Sequence, residues 1–187
     1  MLCGEVKELA HLNQMQARDA RLKRLAESID SLAEHDRRTE EHAREISALR
    51  HHAAAQLHSI CADFVASLNR FLSQSEVALD PAQFAEDAFR LDDVNLIQIS
   101  VRGRILHIEF TATTELVSTE DFRIPYTISG SIRSFNQDLL QNDRVEEQLI
   151  FYTLEKEKRM WRFFDARTYR SGPLDMEYLV TLMEQLL

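Results

Sequence analysis

Apolar residues recur at alternating intervals of three and four from Leu22 onward. With Leu22 at heptad position a, one frame places Leu25, Ile29, Leu32, Ala43, Ile46, Ala53, Leu57, Ile60, Phe64 and Phe71 at later a or d positions without a slip. Asp36, Thr39, Arg50 and Ser67 interrupt the stripe. Upstream, the run Leu9, Leu12 and Met15 fits only with a change of phase. Between Gly4 and Pro81 there is neither glycine nor proline, and alanine, leucine, glutamate, glutamine and arginine dominate. Those are good helix formers. A helix of about 70 residues would extend roughly 105 Å at 1.5 Å per residue. A single such helix cannot bury its own stripe, so a partner strip is required.

The centre of the stripe is weak. No large apolar residue appears from Ala33 to Glu45, and two arrangements fit. In a continuous coiled coil this stretch grips poorly, and its polar a and d residues set register. In a helical hairpin, Arg37 and Arg38 close one helix and Thr39 caps the next, with Glu40 and Glu41 in its first turn. The hairpin would bring Leu32 opposite Ile46 and Leu25 opposite Ala53.

Beyond Pro81 the pattern changes. Asp80 and Pro81 predict the start of a short helix with Phe84, Ala85, Ala88 and Phe89 on its apolar face. Strict alternation follows. Ile97, Ile99 and Val101 form one strand, Arg102-Gly103 a tight turn, and Leu106, Ile108, Phe110 and Ala112 its hairpin partner. Thr113 to Asp121 is expected to be a polar connection. Phe122, Ile124, Tyr126 and Ile128 alternate again, with Pro125 marking an edge or bulge and Gly130 a bend. Asn136 to Arg144 fits either a short helix or a long turn. Gln148 to Leu154 is a strand apolar on both faces, Glu155 to Lys158 a turn, and Met160 to Ala166 the last strand. Pro173 is expected to open a closing helix carrying Met176, Leu179, Val180, Met183 and Leu187. The links are too short for parallel crossovers, so the sheet is antiparallel.

Composition narrows the function classes. The 187 residues are 44% apolar and 28% charged, with 4 glycines and 3 prolines, which fits a folded chain rather than a disordered or low-complexity one. The net charge is −9; residues 1–80 carry 10 basic against 13 acidic groups and the remainder 12 against 18. Both parts are acidic, which disfavours nucleic acid. Cys3 and Cys61 are too few for a disulfide framework and lack zinc spacing. Met1 to Glu8 has no apolar run, so no secretory signal is expected, and no window approaches the roughly 18 apolar residues of a membrane span.

Little in the chain announces chemistry. With glycines only at 4, 103, 130 and 172, no phosphate-cradling loop can be written, and GxSxG, HExxH and CxxC are absent. His35 and His42 are seven apart, as are His51 and His58, too far along one helix to share an ion; they read as solvated helix-face residues. Cys61, beside Ile60 and Phe64, reads as a small buried residue. His107 and Glu109 share a strand face, which suits general acid–base work in a cleft or an exposed polar face. Arg159 to Arg170 interleaves arginine with Trp161, Phe163, Phe164 and Tyr169, but alternation makes Trp161 and Phe163 core residues.

The expectation is an α+β chain. Residues 1–80 form a coiled coil or helical hairpin, and residues 81–187 a helix, an antiparallel meander of about five strands and a C-terminal helix. The expected role is a non-enzymatic, cytoplasmic scaffold or adaptor without cofactor or metal. Leu22, Leu25, Ile29, Leu32, Ile46, Ala53, Leu57, Ile60 and Phe64 would pair with a second copy or another helical protein, giving a homodimer or a member of a hetero-complex. Neither nucleic acid nor a membrane is expected as a partner. The alternative is a small-molecule-binding or sensing domain with a pocket between sheet and helix.

Overall fold

A computed structural model describes residues 2–136, 146–155 and 158–187, the side chains of 2–14, 16, 86 and 146 excepted. The first element, α1, runs unbroken from Leu2 to Asn69. The hairpin alternative therefore falls. The residues expected to turn the chain brace it instead. The Arg37 guanidinium donates to Glu34 at 2.9 Å on one side and to Glu41 at 2.7 Å on the other, and Arg38 donates to Glu34 at 2.9 Å. Pairs three and four apart stabilise a helix rather than end it. Thr39 does not cap a second helix, because its hydroxyl donates back to the His35 carbonyl at 3.0 Å.

Among the described residues, seven antiparallel strands follow in sequential order: β1 Ala78–Asp80, β2 Asn95–Val101, β3 Arg104–Val117, β4 Tyr126–Phe135, β5 Glu146–Glu155, β6 Lys158–Asp165 and β7 Arg170–Pro173. The expectation was about five. The two extra strands are the edges, three and four residues long, too short to show an alternating pattern. The predicted helix after Pro81 reduces to a 3₁₀ turn at Glu86–Ala88. Its aromatic residues serve as loop anchors: Phe89 stacks on Phe110 with centroids 6.2 Å apart. Thr113 to Val117, expected as connection, extends β3. Pro173 ends β7 rather than opening a helix; α2 is Met176–Leu186, and the Asp175 carboxylate accepts from the Tyr178 N–H at 3.0 Å as its cap. Residues 137–145 and 156–157, which include most of one ambiguous segment and part of a predicted turn, lie outside the described residues.

The β2–β3 hairpin closes as predicted, with positive φ at both Arg102 (46°) and Gly103 (79°). Gly130 does a different job from bending a strand. It faces Phe110 across β3–β4, where an added Cβ would lie 2.8 Å from the Phe110 Cα. Only a residue without a side chain lets the strands approach there.

Contacts divide the chain into two compact units, Met1–Ile46 and Ser47–Leu187. The junction expected at residue 80 lies inside the second. One face of the sheet, with Ile97, Ile99, Leu106, Ile108, Phe110, Ile128, Ile132, Ile150, Tyr152 and Trp161, is covered by α1 from Ala53 onward and by α2. The covering stripe of α1 comprises Ala53, Ala54, Leu57, Cys61, Phe64 and Val65, the wide helical stripe that a sheet requires rather than a narrow a/d seam. On α2 the buried residues are Leu179, Leu182, Met183 and Leu186, whereas Met176 and Leu187, expected on that face, are exposed. Two polar clamps fix α1 to the sheet. The Trp161 indole donates to the Ala53 carbonyl at 2.8 Å, and the Asn69 amide pairs with both backbone groups of Val77, at 2.8 and 2.9 Å.

Candidate functional site

The predicted seam divides into two populations. In the first unit, Leu22, Leu25, Ile29 and Leu32 are 56%, 57%, 57% and 61% exposed; of the upstream run Leu9, Leu12 and Met15, Met15 itself is in phase with Leu22, seven residues on, and is exposed too. Large aliphatic groups on one helix face are thus left to water. Ile46 is half-buried. In the second unit, Ala53, Leu57 and Phe64 are buried and Ile60 is half-buried, all against the chain's own sheet. These residues already have their partner strip. Arg50, a polar a position in the heptad frame, also serves the sheet: its Nε donates to Thr127 Oγ1 at 2.9 Å and its Nη2 to the Thr113 carbonyl.

The histidines separate in the same way. His35 and His42 are exposed as predicted. His58 is not solvated; it is buried, with Nε2 2.8 Å from the Pro81 carbonyl. His51 is half-buried edge-on to Phe89 at 4.9 Å. Cys61 is fully buried, and burial pushes its thiol up to about 12, so it stays protonated and unreactive. Among the described residues no group of three or more His, Cys, Asp or Glu is placed to hold a metal, and no helix is long and apolar enough to cross a membrane.

His107 and Glu109 do meet, with Nε2 to Oε1 at 2.7 Å. They belong to a longer polar ladder that crosses four strands on the sheet face away from the helices. Gln98 on β2 contacts His107 Nδ1 at 3.0 Å, Arg133 on β4 approaches Glu109 at 3.5 Å, and its Nε donates to Glu147 on β5 at 2.9 Å. A Gln98 amide donating to Nδ1 leaves the neutral imidazole to donate from Nε2 to Glu109. Both ring nitrogens of His107 are then hydrogen-bonded. The hydrogen bond from Arg133, helped by one from Ser131, holds the Glu147 carboxyl below the usual carboxylate range.

Beside the ladder lies a groove of about 520 Å³. One wall is a second apolar cluster, Phe122, Tyr126, Phe151 and Phe164, with Phe122 stacked on Phe151 at 4.4 Å. A local turn presses Phe122 down: Thr119 N–H donates to the Phe122 carbonyl at 2.9 Å, and Phe122 N–H donates to Thr119 Oγ1 at 3.1 Å. The other wall carries Glu109, Glu147, Ser129 and Ser131. A smaller cavity of about 260 Å³ lies between His58, the 81–90 loop and β2. Glu147, Arg133 and Ser131 carried no signal in the sequence, because their meeting depends on register across β3, β4 and β5. The arginine–aromatic segment is occupied within the fold. Trp161 and Phe164 are buried, and Phe163 stacks on Tyr178 with centroids 3.8 Å apart.

No family model, no curated protein and no solved structure matches this chain.

Proposed function

We propose that this protein is a non-enzymatic scaffold that self-associates through the first part of α1 and carries the sheet-bearing unit as its presented, protein-binding part. The observation that supports this reading is the exposed row Leu22, Leu25, Ile29 and Leu32, at intervals of three and four on one helix face. Burying a leucine or isoleucine side chain contributes about 1.5–3 kcal/mol relative to leaving it in water. A second copy supplies the same row, and so offers a surface of matching spacing. The edges of the sheet are poor docking strips, because β1 and β7 are only three and four residues long. Ile29→Asp tests the reading by mass in solution. The unchanged protein is expected to weigh a multiple of one chain, and the variant one chain with unchanged melting of the sheet. A wild-type mass of one chain at every accessible concentration overturns it.

A second reading is favoured by the groove on the open sheet face. Its acidic wall beside an aromatic one suits a small amine with a flat apolar body. Titration with phenethylamine, followed by NMR, is expected to shift Glu109, Glu147 and Phe151. Unmoved signals at millimolar ligand remove this reading.

A further inference from the structure

We infer that the second copy lies antiparallel, with Arg18 of each chain against the partner's Asp36. This inference rests on the self-association reading and adds orientation and register to it.

Two charged residues, Arg18 and Asp36, hold seam positions on either side of the exposed row in the first unit. In the frame that places Leu22 at a, Arg18 falls at d and Asp36 at a, so both point along the seam rather than away from it. Both are exposed. Arg18 has only a loose contact with its neighbour Asp19, at 3.8 Å, and Asp36 makes no ion pair among the described residues. The better-paired charges, Glu34, Arg37, Arg38 and Glu41, occupy the outer positions b, c and f. Among the described residues, the two seam charges are left without a firm partner, as are Arg21, Lys23, Arg24, Glu27 and Asp30 on the other faces, but only the seam charges would be enclosed by a second helix.

A parallel, in-register pair sets each seam residue against its own copy. Arg18 would then face Arg18, and Asp36 would face Asp36, two like-charge contacts in the most enclosed positions of the interface. An antiparallel pair sets a against d. Centred on Glu27, it places Leu22 against the partner's Leu32 and Leu25 against the partner's Ile29. The same centre places Arg18 against the partner's Asp36 and Met15 against the partner's Thr39. One choice of centre therefore satisfies both the apolar layers and the charges. It also puts Ala26 against Ala26 and Ser28 against Ser28 on the flanks of the centre, small residues that let the helices approach. The parallel pair has one compensation, His35 at g beside the partner's Glu40 at e. That contact is marginal and solvated, and Glu40 already lies 3.6 Å from Arg44 on its own helix. Exposed pairs of this kind contribute little.

Spin labels at single sites decide the orientation. In a Cys3→Ser background, with Cys61 buried, labels are placed at the outward-facing Glu27→Cys and Glu41→Cys in separate variants. Labels near the centre are close in either arrangement. Labels at 41 lie 28 residues apart along an antiparallel pair, about 42 Å at 1.5 Å per residue, and close together in a parallel one. Charge reversal decides the register. Arg18→Asp and Asp36→Arg should each weaken dimerisation roughly tenfold, and the double variant should restore it. A long distance at 41 together with rescue supports the inference. A short distance at 41, or a double variant no tighter than the singles, overturns the antiparallel register while self-association stands. A wild-type mass of one chain overturns both.

Discussion

Leu57→Asp unfolds the sheet-bearing unit, although Leu57 and Ile29 occupy equivalent positions of the same heptad frame. Leu57 is fully buried between α1 and the sheet, in one cluster with Cys61, Ile108 and Trp161. Removing its side chain costs about 2–5 kcal/mol through lost burial and the cavity left behind. The carboxylate then has to sit in an apolar site or take up a proton, which costs several kcal/mol more. That total is comparable to the entire stability of an ordinary domain, about 5–15 kcal/mol. Circular dichroism and proteolysis should report loss of the sheet in the isolated chain. The Ile29 variant should lose association alone. A folded sheet in the Leu57 variant would contradict the assignment of α1 to the core.

Trp161→Ala is the second large effect, at about 3–5 kcal/mol of unfolding free energy in denaturant titration. Trp161 is the largest fully buried side chain and lies edge-on to Phe110 at 5.7 Å. Its indole also donates to the Ala53 carbonyl, so it attaches the helix to the sheet by packing and by a hydrogen bond. Trp161→Phe separates the two contributions. It keeps an aromatic ring but loses the donor and part of the indole's volume, for a cost of about 1–3 kcal/mol, smaller than that of Trp161→Ala. A Trp161→Ala loss no greater than that of Trp161→Phe would show that the site collapses around the missing ring.

Much of the architecture was legible because its signals are local. The absence of glycine and proline between Gly4 and Pro81 and the run of good helix formers mark a helix, and α1 is one. Alternation marks β2 and β3, and the turn chemistry of Arg102-Gly103 sets their register. The edge strands were not legible, since three or four residues cannot display a period. The polar ladder was half legible. His107 and Glu109 share a face by spacing alone, whereas Gln98, Arg133 and Glu147 join them only through the pairing of four strands.

The sequence by itself determined that α1 carries an apolar stripe it cannot bury alone, and that an antiparallel sheet follows. The tertiary structure decided what covers that stripe. Ala53 to Val65 meet the chain's own sheet, while Leu22, Leu25, Ile29 and Leu32 are left uncovered by it. A heptad pattern records that a helix face avoids water. Both a sheet and a second helix satisfy that requirement, so the pattern alone does not distinguish them. The difference lies in the width of the stripe. Cys61, Val65 and Leu68 broaden it where the sheet packs, whereas the apolar residues flanking Leu22, Leu25, Ile29 and Leu32 at the corresponding positions are only Ala26 and Ala33.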